Sequence, residues 1–268
     1  MRTSPRRDWT SICSCIAVLL ALAATTTTAR AADLYGSANV NISGGMAKSS
    51  GVTGNATFSR PNTGSDMDSS PAWGASFGIG FALDEAIRGE TEFPGTDWRM
   101  SAPHWRVRFE FEGEGGRDYE FATDGPAVYH SEYSAWTVMS NLWLDVPLYQ
   151  PIEWAFGRVP ILEPLAVYMG FGLGLTINDV STSDGVSSGE ENGVGFAWQA
   201  GAGLGYDLTE RVTLGVGYRY VDLGSVDMEL YNPIPFGNLS LDLSAHELAT
   251  TVRVSFYNLP FWDGRGAR

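Results

Sequence analysis

The sequence predicts an all-β fold: an eight-stranded antiparallel transmembrane up-and-down β-barrel with long extracellular loops. One observation is an N-terminus typical of exported proteins, and a second is that no later segment has eighteen consecutive apolar residues. The third is a repeated alternation of large apolar with small or polar residues, clearest at 165–178. Since only helices and closed sheets satisfy their backbone groups in lipid, an exported membrane chain without an apolar helix should form a closed barrel.

The N-terminus has the three parts of a secretory signal. Arg2, Arg6 and Arg7 precede a short apolar core at 12–24, and alanines stand at the two recognition positions before a cut after Ala31. The core is too short to span a bilayer, which favours a signal over an anchor. The sequence therefore divides into a signal peptide at 1–31, an outer-membrane β-barrel at 32–257 and a short C-terminal tail at 258–268.

Composition excludes several classes of function for the chain after residue 31. Both cysteines, Cys13 and Cys15, lie in the predicted signal, so disulfides, thiol chemistry and cysteine-based metal sites are excluded. Removal of the signal leaves 13 of the 17 basic residues and 30 of the 31 acidic ones, with Lys48 the single lysine. Such an acidic chain will not bind nucleic acid through phosphates. It would attract cations or a basic partner, unless the acidic loops serve solubility alone.

The first two predicted strands flank a long polar segment. Strand one is predicted at 34–42 and strand two at 73–83, each with large residues on one face and small or polar residues on the other. The stretch 47–70 between them is rich in glycine and serine, which predicts a loop.

Strand three has two candidate starts. The alternation is best at 105–113, with aromatic and apolar residues outward and arginine and glutamate inward. A start at 87–93 is the alternative, and it would leave 94–103 as a bulge or insert. Strand four is predicted at 135–146, where the same alternation places Thr137, Asn141 and other polar residues inward.

The C-terminal half carries the remaining four strands. They are predicted at 165–178, 196–208, 212–221 and 245–257, with a tight connection at 207–211. An even number of strands is typical of such barrels. With the N-terminus in the periplasm, the outside loops are 47–71, 113–133, 179–193 and 222–243, and the periplasmic turns are 84–103, 147–164 and 208–211.

Three stretches of this half carry a family resemblance through their order and spacing. They are LAVYMGFGLG at 165–174, FAWQAGAGLGYDLTER at 196–211 and LGVGYRYVD at 214–222, and AHEL at 245–248 leads to a strand ending at Phe256. Together they resemble the opacity-type, OmpA-like eight-stranded outer-membrane proteins, a group with many proteobacterial surface antigens. The match is good over 134–257. Family members usually end on a terminal aromatic that the assembly machinery reads, whereas here residues 258–268 follow.

The resemblance also implies location and partners. It implies the cell outer membrane, contact with outer-membrane lipid and lipopolysaccharide, and insertion by the outer-membrane assembly machinery. It further implies a host or surface ligand bound through the loops, and no cofactor.

The interior of so narrow a barrel should be filled by side chains. The inner faces of strands two, five, six and seven are mostly glycine, whereas those of three, four and eight carry bulky or charged residues. Because unpaired buried charges are costly, we expect an arginine–glutamate network in which Arg219 lies near Glu247. A structural plug is the main interpretation, and a proton or ion path is the alternative. The predicted interior charge network comprises Arg106, Arg108, Glu110, Glu112, Arg219, Glu247 and Arg253.

The sequence offers no convincing catalytic or metal site. Acyl-transfer chemistry needs a nucleophile oriented by a base, and only His104, His130 and His246 could serve as the imidazole. Alternation separates His246 from Glu247, and His130 stands in a predicted loop. Asp179, Asp184, Glu190 and Glu191 offer hard oxygen ligands, but their spacing matches no calcium loop.

The sequence thus predicts a non-enzymatic outer-membrane barrel with a structural, surface-antigen or adhesin-like role. The alternatives are a lipid-A-modifying outer-membrane enzyme and a narrow channel.

Overall fold

A closed ring of antiparallel strands forms the framework of the protein. The computed structural model describes residues 31–260 apart from 54–55, 63–67, 84–89, 93–98, 102–104, 125–127, 158 and 233. The ring closes because the last strand pairs with the first. The strands are β1 (Ala31–Thr53), β2 (Ala56–Asn62), β3 (Ser69–Ala82), β4 (Glu90–Glu92), β5 (Arg99–Ser101), β6 (Arg106–Asp124), β7 (Val128–Pro147), β8 (Leu165–Ser183), β9 (Ser188–Asp207), β10 (Val212–Asn232) and β11 (Ile234–Pro260).

Eight strand positions make up the ring, which confirms the predicted eight-stranded antiparallel barrel. β2 and β3 both pair with β1, β2 at residues 47–53 and β3 at residues 32–44, so together they occupy one position of the ring. β4 and β5 form a separate two-stranded sheet, and the wall strand begins at Arg106. The alternative start of strand three at 87–93 is therefore wrong. The predicted signal peptide lies outside the described residues, except for Ala31.

Among the described residues, one short helix interrupts the strands. The helix α1 (Tyr149–Phe156) and a 3₁₀ turn (Pro160–Leu162) connect β7 to β8. Neither is long enough to cross a membrane, and the same holds for every helix in the described part of the chain.

The outward face of the ring carries a continuous band of exposed apolar side chains. Val40 is 65% exposed and Phe77 is 67% exposed, whereas Tyr35 and Asn41 on the opposite face of the sheet are buried. Exposed apolar residues in such number would be unfavourable in water, and they suit contact with lipid. Aromatic residues edge the band, as at membrane interfaces, with Trp73 packed edge-on against Trp136 at 5.4 Å between ring centroids.

The strands extend well beyond the predicted ends, so most residues of the predicted outer loops are in β-structure. β1 and β2 form a hairpin within 47–71, and β10 and β11 continue through 222–243 apart from the undescribed residue 233. The loops at 113–133 and 179–193 are likewise mostly strand. The predicted strand ends were too early because the apolar outward face ends where lipid ends, whereas backbone pairing continues into the region outside the membrane.

The interior of these strand extensions is an apolar core, which the sequence did not predict. Two bulges switch the inward and outward faces: one between Glu114 and Arg117, the other between Asp222 and Gly224. Gly116 and Gly224 have φ angles of 81° and 79°, a conformation that favours glycine. Beyond the bulges the pattern is apolar inside and polar outside. The large residues of this outer core are Tyr119, Phe121, Tyr129, Tyr133, Val180, Leu223, Val226, Met228, Leu230, Leu239, Leu241 and Leu243.

Candidate functional site: two interior charge clusters

Five charged residues meet in the lumen below the outer core and form what we call the charge plug: Glu112, Glu114, Arg117, Arg219 and Glu247. Arg219 contacts all three carboxylates, with 2.8 Å from its Nη1 to Glu112 Oε1. Arg117 donates from Nη2 to Glu114 Oε1 at 2.8 Å and from Nε to Glu247 Oε1 at 2.7 Å. None of the five side chains is more than 6% exposed.

Neutral donors complete the plug and compensate its excess of one carboxylate. Glu112 accepts hydrogen bonds from the amides of Asn39 at 2.8 Å, Asn141 at 2.7 Å and Gln199 at 3.0 Å. Glu114 accepts one from Asn41 at 2.7 Å. Ser43 donates to Glu247 at 3.0 Å. Every carboxylate oxygen therefore has at least one donor, the condition under which buried charges are tolerated.

A second cluster lies nearer the end of the barrel where β1 begins and β11 ends. Arg108 Nε donates to both oxygens of Asp145 at 3.0 and 2.9 Å, and its Nη1 lies 3.4 Å from Glu110. The hydroxyl of Tyr35 donates to Glu110 at 3.0 Å. Arg253 is held more loosely, since its Nη1 lies 3.6 Å from Asp145. We call these residues the lower cluster.

The lower cluster borders a cavity of about 80 Å³. Glycines of β9 and β10, among them Gly205 and Gly217, line one side of it. They leave room for Tyr168, because a Cβ at Gly203 would lie 2.5 Å from the Tyr168 ring. Likewise a Cβ at Gly78 would lie 2.6 Å from the ring of Tyr35. Large inward residues thus pack against glycines that are their register partners on the neighbouring strand.

The structure divides the seven residues of the predicted network. Glu112, Arg219 and Glu247 are in the charge plug, and Arg108, Glu110 and Arg253 are in the lower cluster. Arg106 stands apart from both at the barrel end, where its Nη2 lies 3.5 Å from Asp33. Arg219 and Glu247 are direct partners in the pairing of β10 with β11.

Sequence reasoning missed Glu114, Arg117 and Asp145 as members of these clusters. Arg117 and Glu114 fell outside a predicted strand that ended at residue 113. The signal for Arg117 was the pair of glycines before it, because a glycine bulge inverts the alternation that follows. Without that bulge, simple alternation would point Arg117 outward.

The histidines of the described residues have no catalytic arrangement around them. His130 and Glu132 are exposed, whereas Ser131 between them is buried and bonds Thr182 at 2.9 Å. His246 contacts the hydroxyl of Tyr218 on the outward face, while Glu247 is inward. His104 lies outside the described residues.

The acidic residues of the hairpin formed by β8 and β9 do not form a metal site. No group of three or more His, Cys, Asp or Glu residues suited to a metal occurs in the described part of the chain. Asp184 instead caps its own turn and accepts a hydrogen bond from the N–H of Val186 at 2.9 Å and from Ser187. Slight burial raises the pKa of Asp184, but these hydrogen bonds outweigh it and hold the pKa below its ordinary value.

Comparison with known proteins gives a family match over most of the chain. The outer membrane protein beta-barrel domain matches residues 15–256. No curated protein matches the chain.

Several solved structures are similar at low sequence identity. Neisserial surface protein A is 15% identical, with 84% of this chain and 99% of that chain covered and a TM-score of 0.38. OprG from Pseudomonas aeruginosa is 10% identical, with 85% and 98% covered and a TM-score of 0.41. Ail of Yersinia pestis is 11% identical, with 80% and 98% covered and a TM-score of 0.27.

Proposed function

The chain belongs to the outer membrane protein beta-barrel domain family and is a protein of the outer membrane, and on that premise we propose a non-enzymatic surface role, structural, antigenic or adhesin-like. In this proposal residues 1–31 are a cleaved signal, 32–257 the barrel and 258–268 a short tail. The family match agrees with the resemblance found in the C-terminal half of the sequence.

The observation that carries the proposal is a lumen filled at two levels. The charge plug fills it at membrane depth, and the outer core fills it again outside the membrane. A solute or ion path would need both fillings to open. A filled lumen favours a role in which the outer surface of the barrel makes the contacts. It argues against the narrow-channel alternative, because a channel needs an open path.

The outward surface beyond the band of exposed apolar side chains is the surface that a partner would contact. We call it the acidic collar. Its exposed acidic residues come from six strands, β6 to β11, and Lys48 is an exposed base on β1. Such a surface would attract a basic ligand and repel neighbouring anions. The acids are Asp118, Glu120, Glu132, Asp179, Glu190, Asp227, Glu229 and Asp242.

The test uses the full protein in phospholipid nanodiscs and measures binding of polylysine and of polyglutamate. We expect polylysine to bind and the binding to weaken as salt is raised, because exposed charges are screened. Glutamine at Glu120 and Glu132 should weaken it, whereas the matched control Glu210→Gln, at the opposite end of the barrel, should not. Equal binding of both polymers would refute a basic ligand.

Two further measurements separate the alternatives. Planar bilayers containing the protein should show no discrete conductance steps, and steps would favour a channel. The mass spectrum of lipid A should be the same in cells with and without the protein, and a new acylation pattern would favour a lipid-modifying enzyme.

A further inference from the structure

The connection between β7 and β8 is larger than the strands require. Leu148 N donates to Leu165 O at 3.0 Å, so the two strand ends are already adjacent. A tight turn could join them, yet the chain instead builds α1 and the 3₁₀ turn. We call residues 149–162 the lobe.

The lobe exposes large apolar side chains. Trp154 is 90% exposed and Phe156 is 80% exposed, more than any residue of the lipid-facing band. Ile161 of the 3₁₀ turn is 61% exposed as well. Exposing apolar side chains of this size to water is unfavourable, so we expect those of the lobe to lie in an apolar environment.

The 3₁₀ turn of the lobe is hydrogen-bonded to the outer wall of the barrel. Tyr206 is on the outward face of β9, in register with Leu165, and its hydroxyl donates to Ile161 O at 2.9 Å. Asp207 N also donates to Pro164 O at 3.1 Å. The C-terminal part of the lobe is therefore held beside the outward face of β9.

We propose that the lobe is an interfacial anchor that inserts Trp154 and Phe156 into the phospholipid leaflet at the end of the barrel where β1 begins and β11 ends. Its continuity with the lipid-facing band selects lipid as the occupant. Tryptophan suits the boundary between headgroups and acyl chains, because its ring is apolar and its indole N–H is polar. Glu153, the residue before Trp154, is exposed and can stay in the headgroup layer.

Spin labels in phospholipid vesicles test the anchor. The full chain, with serine at positions 13 and 15, receives a single label at Trp154→Cys or Phe156→Cys. The lipid reference is Val216→Cys on the outward face of β10, and the water reference is Glu210→Cys in an exposed turn at the same barrel end. Collision rates with oxygen and with a nickel chelate then report whether each label is in lipid or in water.

We expect both lobe labels to resemble Val216→Cys, with several-fold less nickel contact than Glu210→Cys. Nickel contact equal to that of Glu210→Cys would overturn the proposal. So would labels shielded from nickel in native outer membranes but not in pure phospholipid, because a protein partner would then cover the lobe. Should a labelled variant fail to fold, quenching of tryptophan fluorescence by brominated lipid decides the point: Trp154→Phe should lose quenched signal, and unchanged quenching overturns the anchor.

Discussion

Replacing Arg219 by methionine should be among the most destabilising single changes in the lumen. Methionine keeps much of the length of the side chain and removes the guanidinium. Glu112, Glu114 and Glu247 then each lose a charged donor at once, and Arg117, which contacts Glu114 and Glu247, is the one arginine left in the plug. The formal charge of the plug changes from −1 to −2 in a buried site.

The structure sets the size of the effect. Breaking one fully buried ion pair costs about 3–5 kcal/mol, and Arg219 serves three partners, so we expect the upper end of that range. Arg253→Met is a matched control on the neighbouring strand. Its ion contact is 3.6 Å long, its hydrogen bond to Thr213 is 3.3 Å long and its guanidinium carbon lies 5.7 Å from the centroid of the Tyr35 ring, so its loss should cost roughly 1 kcal/mol.

Urea unfolding in phospholipid vesicles, followed by tryptophan fluorescence and by heat-modifiable gel mobility, measures both variants. The double change Arg219→Met with Glu247→Gln should recover part of the loss, because the formal charge of the plug returns to −1. Equal effects of Arg219→Met and Arg253→Met, or plain additivity in the double variant, would refute this account of the plug.

Three further expectations concern the region outside the membrane. Gly116→Ala should cost about 1–2 kcal/mol because of its positive φ, whereas Gly113→Ala, with open space at its Cβ, should cost much less; urea midpoints compare them, and equal shifts would contradict the bulge. Met228→Ala should cost about 2–5 kcal/mol and speed proteolysis of the outer strands, while Glu229→Ala next to it should do neither; equal cleavage rates would argue against an outer core. The turn held by Asp184 should be stable above the ordinary pKa of a carboxylate and loosen as the pH falls through its lowered pKa; amide exchange of the turn measures this, and exchange protection independent of pH would contradict the capping role.

The strands inside the membrane were predictable because lipid on one side and a narrow lumen on the other impose a strict alternation. The segment 165–178 lies entirely within β8, and the tight connection at 207–211 is the break between β9 and β10. Once the chain leaves the bilayer, the outward face becomes polar and the large apolar residues move inside. Met228 and Leu241 then follow the pattern of a soluble sheet, with apolar residues inside. A search for strands with an apolar outward face therefore assigns these residues to a loop.

The members of the charge plug were predictable only in part, for a different reason. Inward alternation placed Arg219 beside Glu247 because the two strands are consecutive. It could not identify the contact of Arg219 with Glu112, which joins β10 to β6 across the lumen. Such contacts depend on strand tilt and register around the whole ring, quantities that a pattern along one strand does not contain.

The charge plug and the outer core differ in composition because they lie in different surroundings. At membrane depth the outward positions are taken by apolar residues facing lipid, so the inward positions hold the polar ones, and a narrow lumen brings their charges within contact distance. Charges so confined must be fully paired, and the plug achieves this with amides from β1, β7 and β9 as well as arginines. Outside the membrane the outward face meets water, and the ordinary rule of an apolar inside returns. The glycine bulges at Gly116 and Gly224 lie at this change of environment because one extra residue suffices to exchange the two faces of a strand.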